Sequence, residues 1–360
     1  MLLVYKEDWD ETKERYQVWW NGEYFGRCAL WVTAPRENAS VNPPLLQKPK
    51  DAVEYWTNLD YIFAQVEYHL NRTFYGAEAF PHWSPGYPGT GSISTFLGCP
   101  LHLDYQTGWH EPILVDDDWD VRKLKIDKQN RWWQFTIELL KRCAIESAGK
   151  SIPSIGAFGG SGDTLAALRG TERLLYDVVD CPERVRAADE YLMEMWFEVY
   201  DTFYAIIRDA SDGGSTAWFP LWAPGKFYPT QNDFSYMISP KMFRELFLPV
   251  IQRQTEFLDY SVYHVDGIEA FAHVPALCEL PRLQALQILP GAGKPSPLYY
   301  AETLKTVQAA GKNLHITIPI EEVKPALEML SAKGLFIHTS ASTEAEARDL
   351  IKKVETWSRM

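Results

Sequence analysis

The chain has 360 residues, 46% of them hydrophobic and 23% charged, with a formal net charge of −13 at pH 7. That is a globular composition, and the length suffices for a large core without disulfides or a structural metal. The acidic balance and the lack of a Lys/Arg run argue against a nucleic-acid binder, and no stretch approaches the about 18 apolar residues of a membrane span.

The first residues, MLLVYKEDWDETKERY, are charged almost at once and lack the apolar stretch of a signal peptide. The cysteines Cys28, Cys99, Cys143, Cys181 and Cys278 are scattered, odd in number and never in a CxxC pair, which points to reduced thiols in a cytoplasmic protein. Without secretion, the glycosylation patterns at Asn38-Ala39-Ser40 and Asn71-Arg72-Thr73 are coincidental. Aromatic content is high, with 14 Trp and 19 Tyr. Many fall in Pro/Gly-rich stretches such as 81–91 and 217–229, where loop aromatics either wall a pocket or fill irregular packing.

In chain order, RCALWVTAP (27–35) is a predicted strand and SISTFLG (92–98) a second. IPSIGAF (152–158) is a buried strand, 171–210 a helical region broken near Pro182, and 215–221 strand-like. Residues 239–260 form a helix with Ser239 as N-cap and Pro240 at its first position. Strands at 261–267, 283–289, 313–319 and 335–342 then alternate with helices at 275–280, 296–311 and 321–334, the last two closed by Gly311 and Gly334. A capping box at Ser342 or Thr343 opens the final helix. Strand–helix alternation with short connections predicts βαβ units and a parallel sheet. Six strands from 152 onward and two before it make a (β/α)8 TIM barrel, a single domain over 1–360 with an elaborated N-terminal part, 1–150. Its active site belongs at the C-terminal strand ends. The alternative is an open doubly wound sheet, but GGSG (159–162) lacks the full GxGxxG pattern and the acidic residue expected after it.

The second half resembles the uroporphyrinogen decarboxylase superfamily, which includes corrinoid- and thiol-dependent methyltransferases. The resemblance rests on GAFGGSGDTLAALRG (156–170), ERLLYDVVDCPERVRAADEYL (172–192), NDFSYMISPKMFRELFLPVI (232–251) and YHVDG (263–267). It covers roughly 150–345 and implies the same barrel. The decarboxylase itself carries an Arg-rich motif after the first strand; here that strand ends TAPREN, with Arg36 alone. The methyltransferase branch places His-x-Cys where this chain has His264-Val265-Asp266, and binds zinc there. The resemblance therefore implies His264, Asp266 and His338, on the last strand, as ligands of zinc or another divalent metal, and a corrinoid, free or on a partner protein, as methyl donor.

From the residues themselves, His264 and Asp266 lie two apart at a strand end and face the same way, as catalytic groups or as a structural pair. Asp233 is a candidate general acid/base or a turn residue, and Asp163 a helix cap. Substrate-lining candidates are Arg36, Trp31, Trp83, Trp222, Tyr228, Glu269 and Gln287. The expected function is metal-assisted methyl transfer involving a corrinoid or a small methylated donor. The alternatives are a cofactor-free decarboxylase using Asp233 or Asp266 with Arg36, and a non-catalytic corrinoid- or tetrapyrrole-binding protein. The expected substrate is a small molecule, with no nucleic-acid or membrane partner and oligomerisation open.

Overall fold

A computed structural model describes residues 3–37, 39, 46–84 and 88–359. Asn38 and Ser40 of the first glycosylation pattern, and 85–87 of the aromatic loop, lie outside the described residues; Asn71 of the second pattern is buried. Eleven strands are present among them: β1 (Ala29–Pro35), β2 (Thr73–Ala77), β3 (His82–Trp83), β4 (Leu101–Leu103), β5 (Gly108–His110), β6 (Ile152–Pro153), β7 (Phe227–Gln231), β8 (Tyr260–Asp266), β9 (Ala285–Leu289), β10 (Asn313–Thr317) and β11 (Leu335–Ser340).

Seven of these form one sheet in the order β2-β1-β11-β10-β9-β8-β7. From β1 across to β7 every pairing is parallel; β2 alone is antiparallel, on the free edge of β1. The parallel strands are apolar runs buried on both faces, as parallel sheets covered by crossover helices require. Those helices include Pro240–Leu246 and Leu248–Phe257 before β8, Ala301–Ala309 before β10, Val323–Met329 before β11 and Glu344–Trp357 after it. The fold is thus α/β with a mostly parallel central sheet. That sheet is open, with β2 and β7 at its edges, so the closed eight-stranded barrel expected from the sequence is not shown. Shorter pairings continue from it. β3 pairs in parallel with β6, Glu78 N donates to Leu30 O at 2.9 Å beside β1, and Ile155 N donates to Thr216 O at 3.0 Å beyond β6.

Several predicted boundaries shift for local reasons. The stretch 92–98 is a short helix, Ile93–Phe96, and not a strand: Ser92 Oγ caps it by accepting from Thr95 N. Of 152–158 only β6 is strand, because Gly156 and Gly159 take positive φ. Of 215–221 only the isolated bridge Ser215–Ala223 remains. The predicted 239–260 helix starts as expected on Ser239 and Pro240, then breaks at Phe247 ahead of Pro249. The region 171–210 breaks at Pro182 as predicted.

The starts of the sheet strands are sealed by the helix Trp9–Trp20. Trp19 Nε1 donates to Gly334 O at 3.0 Å, just before β11, and Asn313 Nδ2, at the start of β10, donates to Trp19 O at 2.6 Å. Trp20 packs on Phe227 and Tyr260, the first residues of β7 and β8, and donates to Trp222 O at 2.9 Å. Buried Glu78 ties this end to β1: it accepts two 2.7 Å bonds from Arg27, one of 2.6 Å from Arg15 and one of 2.7 Å from Leu30 N. With the strand starts filled, a ligand has the opposite, C-terminal ends to approach.

A candidate active site at the strand ends

The turn 159–162 after β6 lies directly on the end of β7. A Cβ on Gly160 would stand 2.7 Å from Gln231 O, and one on Gly162, whose φ is +76°, would stand 2.5 Å from the Asn232 amide. Only glycine permits that approach, and the approach delivers Asp163 to Gln231 and Asp233. Gln231 Nε2 donates to Asp163 Oδ2 at 3.0 Å and to Asp233 Oδ2 at 3.3 Å. Phe234 N donates to Asp163 Oδ1 at 3.0 Å. Asp189, from the helix Pro182–Ile207, holds the turn from beneath by accepting from Ser161 Oγ at 2.5 Å and Gly162 N at 2.8 Å.

Asp163 and Asp233 line one wall of a cleft of about 520 Å³, with Gln231, Phe234, Met237, Ala166, Gly170, Pro112 and His110. Among the described residues the lining includes no Lys or Arg. Burial, then the facing Asp233 carboxylate, push the Asp163 carboxyl well above the usual range. Crowding by protein, then Asp266 at the end of β8, do the same for Asp233, which stays open to the cleft. Two carboxyls that resist joint ionisation and share one amide donor hold a proton that an ordinary aspartate would have released.

Deeper in the sheet, inward side chains form a second group. His264 Nδ1 bonds Gln287 Oε1 at 2.6 Å, and Trp218 meets the His264 ring edge-on at 5.0 Å. His315, on β10, packs between Phe336 and Phe219 and lies 6.1 Å, ring to ring, from His338. His338 stacks on Trp31 at 5.4 Å. Burial lowers the pKa of all three imidazoles, that of His338 to about 4, so they are neutral near pH 7.

The structure thus brings together Asp233, Asp266, His264 and Gln287 of the expected site, with Trp31 and His338 farther along the sheet. Two residues of this region lacked a catalytic expectation. Asp163 was expected as a helix cap, and the N-cap position is Gly162. His110 carried no sequence signal. The metal set is not assembled: β9 and β10 separate His264 on β8 from His338 on β11, and no group of three or more His, Cys, Asp or Glu among the described residues is arranged to hold a metal ion. Arg36 lies in a separate cleft with Lys6, Tyr5 and Arg348, donating to Thr73 O and Tyr5 O. Trp83, Trp222 and Tyr228 are not pocket walls but packed core. Trp83 stacks on Phe63, Trp222 packs on Trp9 and Tyr16, and Tyr228 packs on Phe158 and Trp196. Glu269 is exposed, within hydrogen-bonding reach of the Tyr236 hydroxyl.

No protein-family model matches the chain, and no curated protein does. Among solved structures it is similar in fold to a methyltransferase from Methanosarcina mazei, with a TM-score of 0.62 at 10% sequence identity, covering 96% of this chain and 98% of that one. No helix among the described residues is long and apolar enough to cross a membrane.

Proposed function

We propose that this chain is an enzyme built on the (β/α)8-barrel plan of the uroporphyrinogen decarboxylase superfamily, which moves a methyl group from a small O- or N-methylated donor to an acceptor nucleophile. The observation that carries the reading is the Asp163–Asp233 pair bridged by Gln231 in the strand-end cleft. Breaking a methyl–oxygen or methyl–nitrogen bond leaves an electron pair on the departing atom, and a carboxyl that keeps its proton near neutral pH is the general acid that this step needs. The balance is CH3–Y plus Nu–H giving CH3–Nu plus H–Y: the Asp163 carboxyl protonates Y, and the proton released by the nucleophile reloads the pair; with an acceptor that has no proton, such as cob(I)alamin, a proton from water reloads it. Asp233 keeps its carboxylate beside Asp163 and so maintains the raised affinity for that proton. Similarity in fold to a methyltransferase supports the reading at the level of architecture.

The cleft size suits a small molecule. A corrinoid would meet it from outside as an acceptor substrate, and no residue is assigned to it. Zinc has no part in the proposal, because the expected donors are not gathered. The absence of Lys and Arg from the lining weighs against a polycarboxylate substrate and hence against the decarboxylase alternative.

The test incubates the full chain with a methoxylated phenol or trimethylamine as donor and either 2-mercaptoethanol or cob(I)alamin as acceptor, and measures the methylated acceptor by mass spectrometry. The expected result is turnover that falls by about 100-fold or more in Asp163→Asn, the range a general acid contributes. No methylated acceptor from any pair, or turnover unchanged in Asp163→Asn, overturns the proposal.

A further inference from the structure

The wall of the cleft that carries His110 belongs to the β4–β5 hairpin, and three hydroxyls surround one nitrogen of that imidazole. Ser92 Oγ donates to Gly89 O at 3.0 Å and Thr95 Oγ1 donates to the same carbonyl at 2.7 Å. Each hydroxyl has one proton, so each has only lone pairs left for other partners. Both lie against His110 Nε2, Thr95 Oγ1 at 2.7 Å and Ser92 Oγ at 3.0 Å, with Ser94 Oγ at 3.3 Å. Ser92 Oγ also lies 2.9 Å from both Ser94 Oγ and Thr95 Oγ1; of the proton arrangements these contacts allow, the one that sends the Ser92 and Thr95 protons to Gly89 O makes Nε2 the N–H. In that arrangement the other nitrogen, Nδ1, carries the lone pair. Among the described residues no hydrogen bond occupies it, and His110 is half-buried on the cleft wall.

We propose that His110 is the proton acceptor of the cleft, its Nδ1 facing the acceptor nucleophile while Nε2–H is anchored on Thr95 and Ser92. This rests on the methyl-transfer reading above. The Nδ1 lone pair takes the proton of an S–H or similar acceptor as its electron pair attacks the methyl carbon; the Asp163 carboxyl protonates the leaving atom; and the proton on Nδ1 then returns to the carboxyl pair directly or through water. One wall thus takes the proton that the other supplies, and no co-reactant is consumed. Among the described residues, the other titratable groups lining the cleft with His110 are Asp163 and Asp233, and the His102–Glu111 pair lies on its own hairpin. Thr95 and Ser92 are positioning residues, since they act through the imidazole.

The experiment has a part that needs no substrate and a part that does. Histidine selectively labelled with 15N in the full chain gives the tautomer of each imidazole by NMR, with His110→Gln assigning the signal. The expected result is the Nε2–H form for His110, shifting toward a tautomer mixture in Thr95→Val; an Nδ1–H form overturns the proposal whether or not the enzyme has been given its substrate. In the turnover assay, His110→Gln is expected to lower methylation of 2-mercaptoethanol by about 100-fold. It is expected to lower methylation of cob(I)alamin far less, because that acceptor has no proton to lose. A variant that merely disturbs the cleft lowers both equally, and that outcome also overturns the proposal. No turnover by the parent chain with either acceptor counts against the methyl-transfer reading, while the tautomer still decides the state of His110.

Discussion

At the residue scale, the acidic groups at the strand ends differ in what the sequence reveals. His264 and Asp266 were legible because two-residue spacing on a strand fixes which side chains share a face. Asp163 was not, because its partners Gln231 and Phe234 are brought to it by the 159–162 turn and come from 68 and 71 positions away along the chain. His110 was hidden for the same reason: its tautomer depends on three hydroxyls in a helix start that the alternating pattern SISTF disguised as a strand. Asp189 shows how tertiary burial sets a charge. It is 1% exposed, and burial raises its pKa to about 7, opposed by the bonds from Ser161 and Gly162. In the unfolded chain the same carboxyl titrates at about 3.9. Between those values the folded state holds a proton that the unfolded state has released, so Asp189 lowers stability as pH rises through that window, and its full cost is present above about pH 7. Asp189→Asn removes the charge and keeps the shape. Its stability relative to the parent chain is expected to be near zero below pH 4 and to rise to about 1–4 kcal/mol above pH 7, measured by chemical denaturation across that range. A difference independent of pH contradicts this.

At the element scale, aromatic side chains decide which ends of the strands are available. The sequence left open whether the loop aromatics wall a pocket or fill core, and for Trp83, Trp222 and Tyr228 the large apolar area of the ring decided for core. Trp222 is covered because the helix Trp9–Trp20 lays Trp9, Tyr16 and Trp20 across the strand starts. That helix has no signature in the sequence beyond its aromatic residues, and its role depends on β7, β8, β10 and β11 being in place. Trp20→Ala removes contacts with Phe227 and Tyr260 and the bond to Trp222 O. It is expected to cost about 3–5 kcal/mol in guanidinium unfolding. A cost below about 1 kcal/mol would show that the helix lies loosely on the strand starts and does not seal them.

At the scale of the whole molecule, the second half was the more legible part. Its strands at 261–267, 283–289, 313–319 and 335–342 correspond to β8 to β11, neighbours in the sheet in sequence order, because buried parallel strands are continuous apolar runs between capped helices. The first half was less legible. The chain there makes an antiparallel β2, a two-residue β3 and the β4–β5 hairpin, all shorter than the periodicity needed to detect them. The consequence for function is a molecule with one filled end and one open end. Strand-end carboxyls from β7 and β8 and the turn after β6 meet at the open end, facing a hairpin contributed by the poorly legible half.

The central claim is that the Asp163–Asp233 pair holds a proton that ordinary aspartates release. It is tested most directly by infrared spectroscopy of the protonated carboxyl band in the full chain, in an Asp189→Asn background so that the other raised carboxyl is silent. At about pH 6, some two units above the ordinary aspartate pKa, a protonated-carboxyl band is expected, and Asp163→Asn in the same background is expected to shrink it to the part that burial and Asp266 keep on Asp233. A spectrum with no such band at that pH, or one that Asp163→Asn leaves unchanged, contradicts the account.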